Sequence, residues 1–296
     1  MANNSLWGAH LFMPGNKAGF LCKLPILNVR NIIIDLEFAT KMPFKVDGRY
    51  LTRNAISYIR SVRPDINICV RVNLSCARKL QDDDIKIISQ SRPNSIRIPS
   101  VNEKYEIEHV DGLLTKIEKE NEWDTGCIKL HPMIETPTGL RNAAEIIKAS
   151  ARVEAIALGG EDWAFNCGLH RTREGHELEH VKVEMITIAA ENKIIAIDTV
   201  FSYLEDRDGL IEDCKYSRML GFRARSTINP RQLQIINCAY LPTKDELEWA
   251  SALLNDLKEV RIGESLNYVS QGIIIDPLAI FQAKSILKGV KINEYD

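Results

Sequence analysis

Along the chain, short runs of apolar and β-branched residues alternate with longer stretches in which apolar positions recur every three or four residues. The short runs fall at 10–13, 31–36, 66–72, 95–98, 127–134, 153–158, 194–198 and 226–228. Most are followed by a segment of helical period, at 17–27, 51–62, 82–89, 103–119, 139–149, 174–192, 208–220 and 231–238. Runs of the first kind predict strands, and the 3.6-residue period predicts amphipathic helices. Strand then helix, eight times over, is the pattern of a parallel sheet covered by helices.

Two α/β architectures fit this cadence, a doubly wound open sheet and a closed (β/α)8 TIM barrel. Eight units between residues 10 and 238 suit the ~250 residues of a barrel, and no G-x-G-x-x-G follows the first strand. The barrel is therefore expected over residues 1–240, as a catalytic domain. Pro242-Thr243 starts a helix running to about Val260, and a separate apolar segment spans 273–287. Residues 241–296 are thus expected to be a C-terminal helical extension contacting the barrel or a neighbouring subunit.

Composition narrows the function classes. Lys plus Arg number 38 against 40 Asp plus Glu, a formal charge of −2, with no long basic block. Nucleic-acid binding needs clustered cations, so no nucleic-acid partner is expected. The first fifteen residues lack a basic-then-apolar signal pattern, and no run approaches the roughly 18 apolar residues of a membrane span. Seven cysteines without a C-x-x-C pair read as free thiols in a reducing compartment. A cytoplasmic location, with no membrane partner, is the expectation.

In such a barrel the catalytic groups come from the C-terminal ends of the strands and the loops after them. Those ends carry Asp35, Glu37, Glu135, Glu161, Asp162 and Asp198, with Arg71 among them. Each acid taken singly is suited to capping the helix that follows. Together, on one rim, they call for a counter-charge, which a divalent cation and Arg71 would supply. Glu135 stands out, because it ends the apolar run Leu130-His131-Pro132-Met133-Ile134, where a bare carboxylate is costly. His176-Glu177-Leu178-Glu179-His180 matches H-E-x-x-H, but a solvated helix start accounts for it better. His131, Cys69 and Cys127 lie within strands, where core packing is their default.

The segments Leu11-Phe12-Met13-Pro14-Gly15-Asn16, Asp35-Leu36-Glu37, Val70-Arg71-Val72-Asn73, Pro132-Met133-Ile134-Glu135-Thr136 with Gly139, and Gly159-Gly160-Glu161-Asp162 with Gly168 resemble, in order, the citrate lyase beta-subunit and malyl-CoA lyase family, an HpcH/HpaI aldolase-type TIM barrel. Residues 198–201, 221–222, 229–232 and 272–277 continue the likeness. It implies a Mg2+-dependent carbon–carbon lyase that forms homotrimers or hexamers. By position Glu135 and Asp162 correspond to metal ligands and Arg71 to the arginine that binds and polarises a substrate oxygen. Asp276 looks like the acid/base aspartate given to the adjacent subunit's site, and Glu37 joins the catalytic set. Pro14, Gly15, Gly159 and Gly160 fall at substrate-binding positions, the N–H groups around Gly159 and Gly160 being candidates to stabilise charge on reacting oxygens. The substrate implied is a small carboxylic acid or an acyl-CoA.

Several positions depart from the family pattern: Phe38, Ser100, Ala224-Arg225, Asn229 and Ala9-His10. Arg225 keeps the charge to hold a phosphate of CoA. Besides the lyase, two other functions are compatible with the chain, a malyl-CoA-type thioesterase on the same scaffold and a non-catalytic paralogue. Arg71, Glu135 and Asp162 speak against the last.

Overall fold

The computed structural model describes residues 4–240, 242–259, 268–270, 273–275 and 277–290. Eight parallel strands, β1 (Gly8–Pro14), β2 (Asn31–Asp35), β3 (Asn67–Arg71), β4 (Ser95–Ile98), β5 (Lys129–Ile134), β6 (Ala155–Leu158), β7 (Ile195–Asp198) and β8 (Ala224–Thr227), close into a barrel in which β8 pairs with β1. The helices around it are α1 (Ala18–Leu21), α2 (Lys45–Val62), α3 (Arg78–Ile88), α4 (Lys104–Glu120), α5 (Pro137–Arg141), α6 (Ala143–Lys148), α7 (Gly160–Cys167), α8 (Glu179–Glu191), α9 (Arg207–Leu220) and α10 (Leu233–Tyr240).

All eight strands predicted from sequence are present, within a few residues of their expected limits. The helices differ more. The expected segment 17–27 divides into α1 and a short 3-10 turn at Leu24–Ile26, and 139–149 divides into α5 and α6. In the sixth unit a helix absent from the expectation, α7, starts at Gly160, two residues beyond the end of β6, and stops at Gly168 in the left-handed conformation.

Strand parity sets the two faces. Leu11, Met13, Ile32, Ile34, Ile68, Val70, Ile96 and Ile98 point outward and join the helix residues Ile56, Ile59, Ile85, Val110 and Leu114 in one continuous core. Each such side chain contributes roughly 1.5–3 kcal/mol by leaving water. The inward positions divide into two halves. Met133, Ala155, Ala157, Ile195, Ile197 and Ala224 form an apolar patch with Leu6, whereas β1 to β4 turn His10, Asn31, Cys69, Ser95 and Arg97 inward, all buried.

Residues 1–240 and 241–296 are two compact units. In the second, α11 (Lys244–Glu259) packs with α12 (Pro277–Val290) about Ala250, Leu253 and Ala283, and β9 (Tyr268–Ser270) pairs antiparallel with β10 (Ile273–Ile275). Thr243 caps α11 through a reciprocal pair with Glu246. Asp276 lies outside the described residues.

Candidate active site

The C-terminal ends of β2 and β3 build the cationic side of the barrel mouth. The parallel register places Asp35 opposite Arg71, so the carboxylate and the guanidinium meet as a cross-strand pair. Arg71 Nε and Nη2 donate to Asp35 Oδ1 and Oδ2 at 2.8 and 2.7 Å, a bidentate fork. Two backbone donors, the N–H groups of Glu37 and Ala39, complete the Asp35 shell at 2.9 and 2.8 Å. Burial alone would raise the Asp35 carboxyl, but Arg71 and these N–H groups hold it below its ordinary value. Arg71 keeps Nη1 for Glu37 Oε2, at 3.0 Å, and its guanidinium lies 4.8 Å from the Phe12 ring centroid.

Opposite stands Glu135, at the end of β5. It is buried, and its Oε1 has no hydrogen-bond partner. Burial pushes its carboxyl up to about 8, and the charges of Asp162 and Glu37 add to the push, while Arg71 and a backbone hydrogen bond from Ser100 oppose it. Ser100 has φ 49°, a left-handed conformation that costs a non-glycine residue roughly 1 kcal/mol. Glu37 is raised too, by burial first and then by Asp35 and Asp162 against Arg71. Asp162, in the first turn of α7, is exposed and completes the group. Glu37, Arg71, Glu135 and Asp162, all inferred from sequence, thus share one electrostatic neighbourhood.

This donor set fits a hard cation. A buried carboxylate oxygen with no partner, a second carboxylate facing solvent, and space kept by a glycine are what a water-rich Mg2+ takes, since it binds one or two carboxylates and retains several waters. Among the described residues no three His, Cys, Asp or Glu converge into a preformed cage. The space comes from Gly159. A Cβ there would lie 2.5 Å from Glu135 Cγ and 2.7 Å from Oε1.

The structure corrects several expectations. The N–H groups of Gly159 and Gly160 are already used, donating to the Ile134 carbonyl at 3.1 Å and to Thr199 Oγ1 at 2.9 Å. They provide room for Glu135 and Thr199; they are not free donors for substrate oxygens. Gly15 likewise donates to the Asp35 carbonyl, and a Cβ on it would strike Leu36 and Thr52, so it is a close-packing position behind the loop. Pro14, the last residue of β1, is half-buried. Asp198 is not at the mouth. It is fully buried between Arg225 Nη2 at 2.5 Å and Lys182 Nζ at 3.2 Å, with Asp213 closing the cluster behind the sheet. Arg225, fully buried there, cannot reach a phosphate. Of the H-E-x-x-H pattern, Glu177 caps the loop through Thr172 and Arg171, and His180 pairs with Glu184 on the surface.

Two contributors escaped the sequence reading. Asn166, on the unexpected α7, donates to the Glu135 carbonyl at 3.0 Å. Lys45 donates to the Leu36 carbonyl at 2.8 Å and also to the Glu37 carbonyl and Asn73 Oδ1.

A family model described as HpcH/HpaI aldolase/citrate lyase matches residues 9–230. The chain is 29% identical over 99% of its length to citrate lyase subunit beta of Leuconostoc mesenteroides subsp. cremoris, covering 96% of that protein. It is 27% identical to human mitochondrial citramalyl-CoA lyase, over 94% of this chain and 83% of that one. A crystal structure of CitE from Mycobacterium tuberculosis in complex with magnesium, acetoacetate and coenzyme A has the same fold, with a TM-score of 0.77 at 20% identity, covering 98% of this chain and all of that one.

Proposed function

The chain belongs to the HpcH/HpaI aldolase/citrate lyase family, and from that premise we propose that it is a Mg2+-dependent carbon–carbon lyase. Its reaction is the cleavage, or in reverse the formation, of a β-hydroxy acyl compound, to a 2-oxo acid and an acetyl-type enolate. The observation that carries this reading is the unpartnered Glu135 Oε1, buried beside Arg71 and within the field of Asp162. A CoA thioester is the substrate form we favour, because human citramalyl-CoA lyase acts on one by name and the CitE crystal holds coenzyme A.

Cleavage requires loss of the hydroxyl proton and stabilisation of charge on the departing enolate. Glu135 and Asp162 would hold the Mg2+, which when bound lowers the pKa of a coordinated hydroxyl and fixes a 2-oxo acid. Arg71, oriented by the Asp35 fork, binds and polarises the substrate oxygen. Glu37, raised by burial and lying against Arg71, is the near acid/base group. Asp276 is the second, contributed in our reading to a neighbouring copy's site in a homotrimer or hexamer. We place the enzyme in the cytoplasm, a reading supported by seven free cysteines; no helix among the described residues is long and apolar enough to cross a membrane.

Product analysis tests the proposal. Malyl-CoA, citramalyl-CoA and citryl-CoA are offered with millimolar Mg2+ and again with EDTA. Acetyl-CoA with glyoxylate, pyruvate or oxaloacetate, lost on chelation, is the expected result. Free CoA with an intact hydroxy acid would instead identify a thioesterase.

A further inference from the structure

Resting on the lyase reading of this site, we propose that Lys45 is a positioning residue for the reaction, holding the segment Leu36–Glu37 in the shape that delivers the Glu37 carboxylate to Arg71. Lys45 is the first residue of α2, where a cation works against the helix dipole. A local rule broken in this way points to a role elsewhere. The ammonium group turns back onto the end of β2, and its three N–H donors meet three acceptors: the carbonyls of Leu36 and Glu37 and Oδ1 of Asn73. Asn73 is itself fixed, because both its backbone N–H and its Nδ2 donate to Asp84 Oδ2, and Asp84 Oδ1 accepts from Arg49 Nε at 3.0 Å. Lys45 therefore joins the end of β2, the start of α2 and the loop after β3 at one point.

The consequence falls on Glu37. Its N–H is held by Asp35 Oδ1, its carbonyl by Lys45 and its carboxylate by Arg71. Without the ammonium, two part-buried carbonyls lose their donor and the segment must turn to find another. The Asp35–Arg71 fork is fixed separately by the β2–β3 register, so it survives while Glu37 leaves. Lys45 touches no substrate and acts through Glu37 alone.

The test is Lys45→Ala, or Lys45→Gln should the alanine variant fail to fold, made in wild-type and Glu37→Gln backgrounds. A misplaced catalytic group costs on the order of 10²-fold, so kcat/KM for cleavage should fall about that much, mostly in kcat, and ethylammonium but not sodium should restore part of it. In the Glu37→Gln background the same substitution should change kcat/KM by less than about twofold. A crystal structure of the variant should show Glu37 withdrawn from Arg71 with Asp35 still in place. An equal loss in both backgrounds, or Glu37 unmoved in the crystal, would overturn the assignment. If the wild type cleaves no β-hydroxy acyl substrate, the lyase reading fails by itself and the crystal structure alone decides the role of Lys45.

Discussion

Arg71 grips Asp35 through two parallel hydrogen bonds of 2.8 and 2.7 Å, so its guanidinium plane is set before any ligand arrives. Lysine offers one point charge and cannot reproduce both bonds together with the Glu37 contact. Arg71→Lys should keep the charge and lose the orientation, lowering kcat/KM by about 10²-fold. Steady-state kinetics beside a thermal melt would check this, and unchanged kinetics would show that charge alone suffices.

Gly159 is the second sensitive point. Its φ of −96° is open to any residue, so Gly159→Ala suffers no backbone strain, but the added methyl would press on Glu135 Cγ. We expect overpacking to cost about 1–3 kcal/mol, with Glu135 displaced and divalent-cation affinity reduced at least tenfold (~1.4 kcal/mol). Titration calorimetry with Mg2+ or Mn2+ reads that change; wild-type affinity in the variant would separate Glu135 from the metal.

Arg97 is fully buried in the barrel, with Nε and Nη2 unpartnered and a single hydrogen bond, from Nη1 to Ser226 Oγ at 3.2 Å. Replacing a poorly compensated buried charge with an apolar side chain of similar length is often stabilising by about 1–4 kcal/mol. Arg97→Met should accordingly raise the midpoint of urea unfolding. A lower midpoint would mean that the buried charge is balanced by an anionic partner, the Cys69 thiolate or the Glu135 carboxylate, both of which attract it.

Two buried groups of the barrel, His10 and Glu118, lose their contribution to stability in acid. Burial, helped by Arg97, lowers the His10 imidazole to about 3, so the unfolded chain takes up a proton near pH 6.5 that the folded chain refuses. Stability is then full above pH 6.5 and falls as pH drops toward 3. Glu118, which burial would raise, is brought down to about 2 by Arg152 and the N–H groups of Gly126 and Ile128. Its contribution is present above pH 4.5 and lost toward pH 2. Between pH 6.5 and 4.5 the slope of urea-unfolding stability against pH should be lower in His10→Gln than in wild type by about one proton, Glu135 pulling the other way in both proteins; parallel curves would rule out His10 as the source.

How much of this was legible depended on which physical signal each residue leaves in one dimension. The strands were visible because runs such as Ile32-Ile33-Ile34 are buried on both faces. Glu135 was visible because a carboxylate ending an apolar run is expensive. Helix α7 was hidden, since Gly160-Glu161-Asp162 reads as loop until the chain turns. Asp198 was mistaken for a rim acid because Asp35 and Asp198 both end strands yet differ in parity: Asp35 shares the inward face of Ile33, whereas Asp198 faces away from Ile197. Lys45 left no trace, for its partners are two backbone carbonyls and an amide 28 residues away.

The last strand of the ring, β8, holds a single apolar residue, Ala224, among Arg225, Ser226 and Thr227. It brings little oil to the act of closure, and its backbone pairing with β7 is reinforced by Arg225, which reaches Asp198 on β7 and Asp213 on α9. A sheet left unshut would present two raw edges, the outer sides of β1 and β7, each a template for a strand from another molecule. The ion cluster behind the sheet therefore helps to keep the ring sealed within one chain and its edges out of reach of other strands, a role carried out far from any substrate.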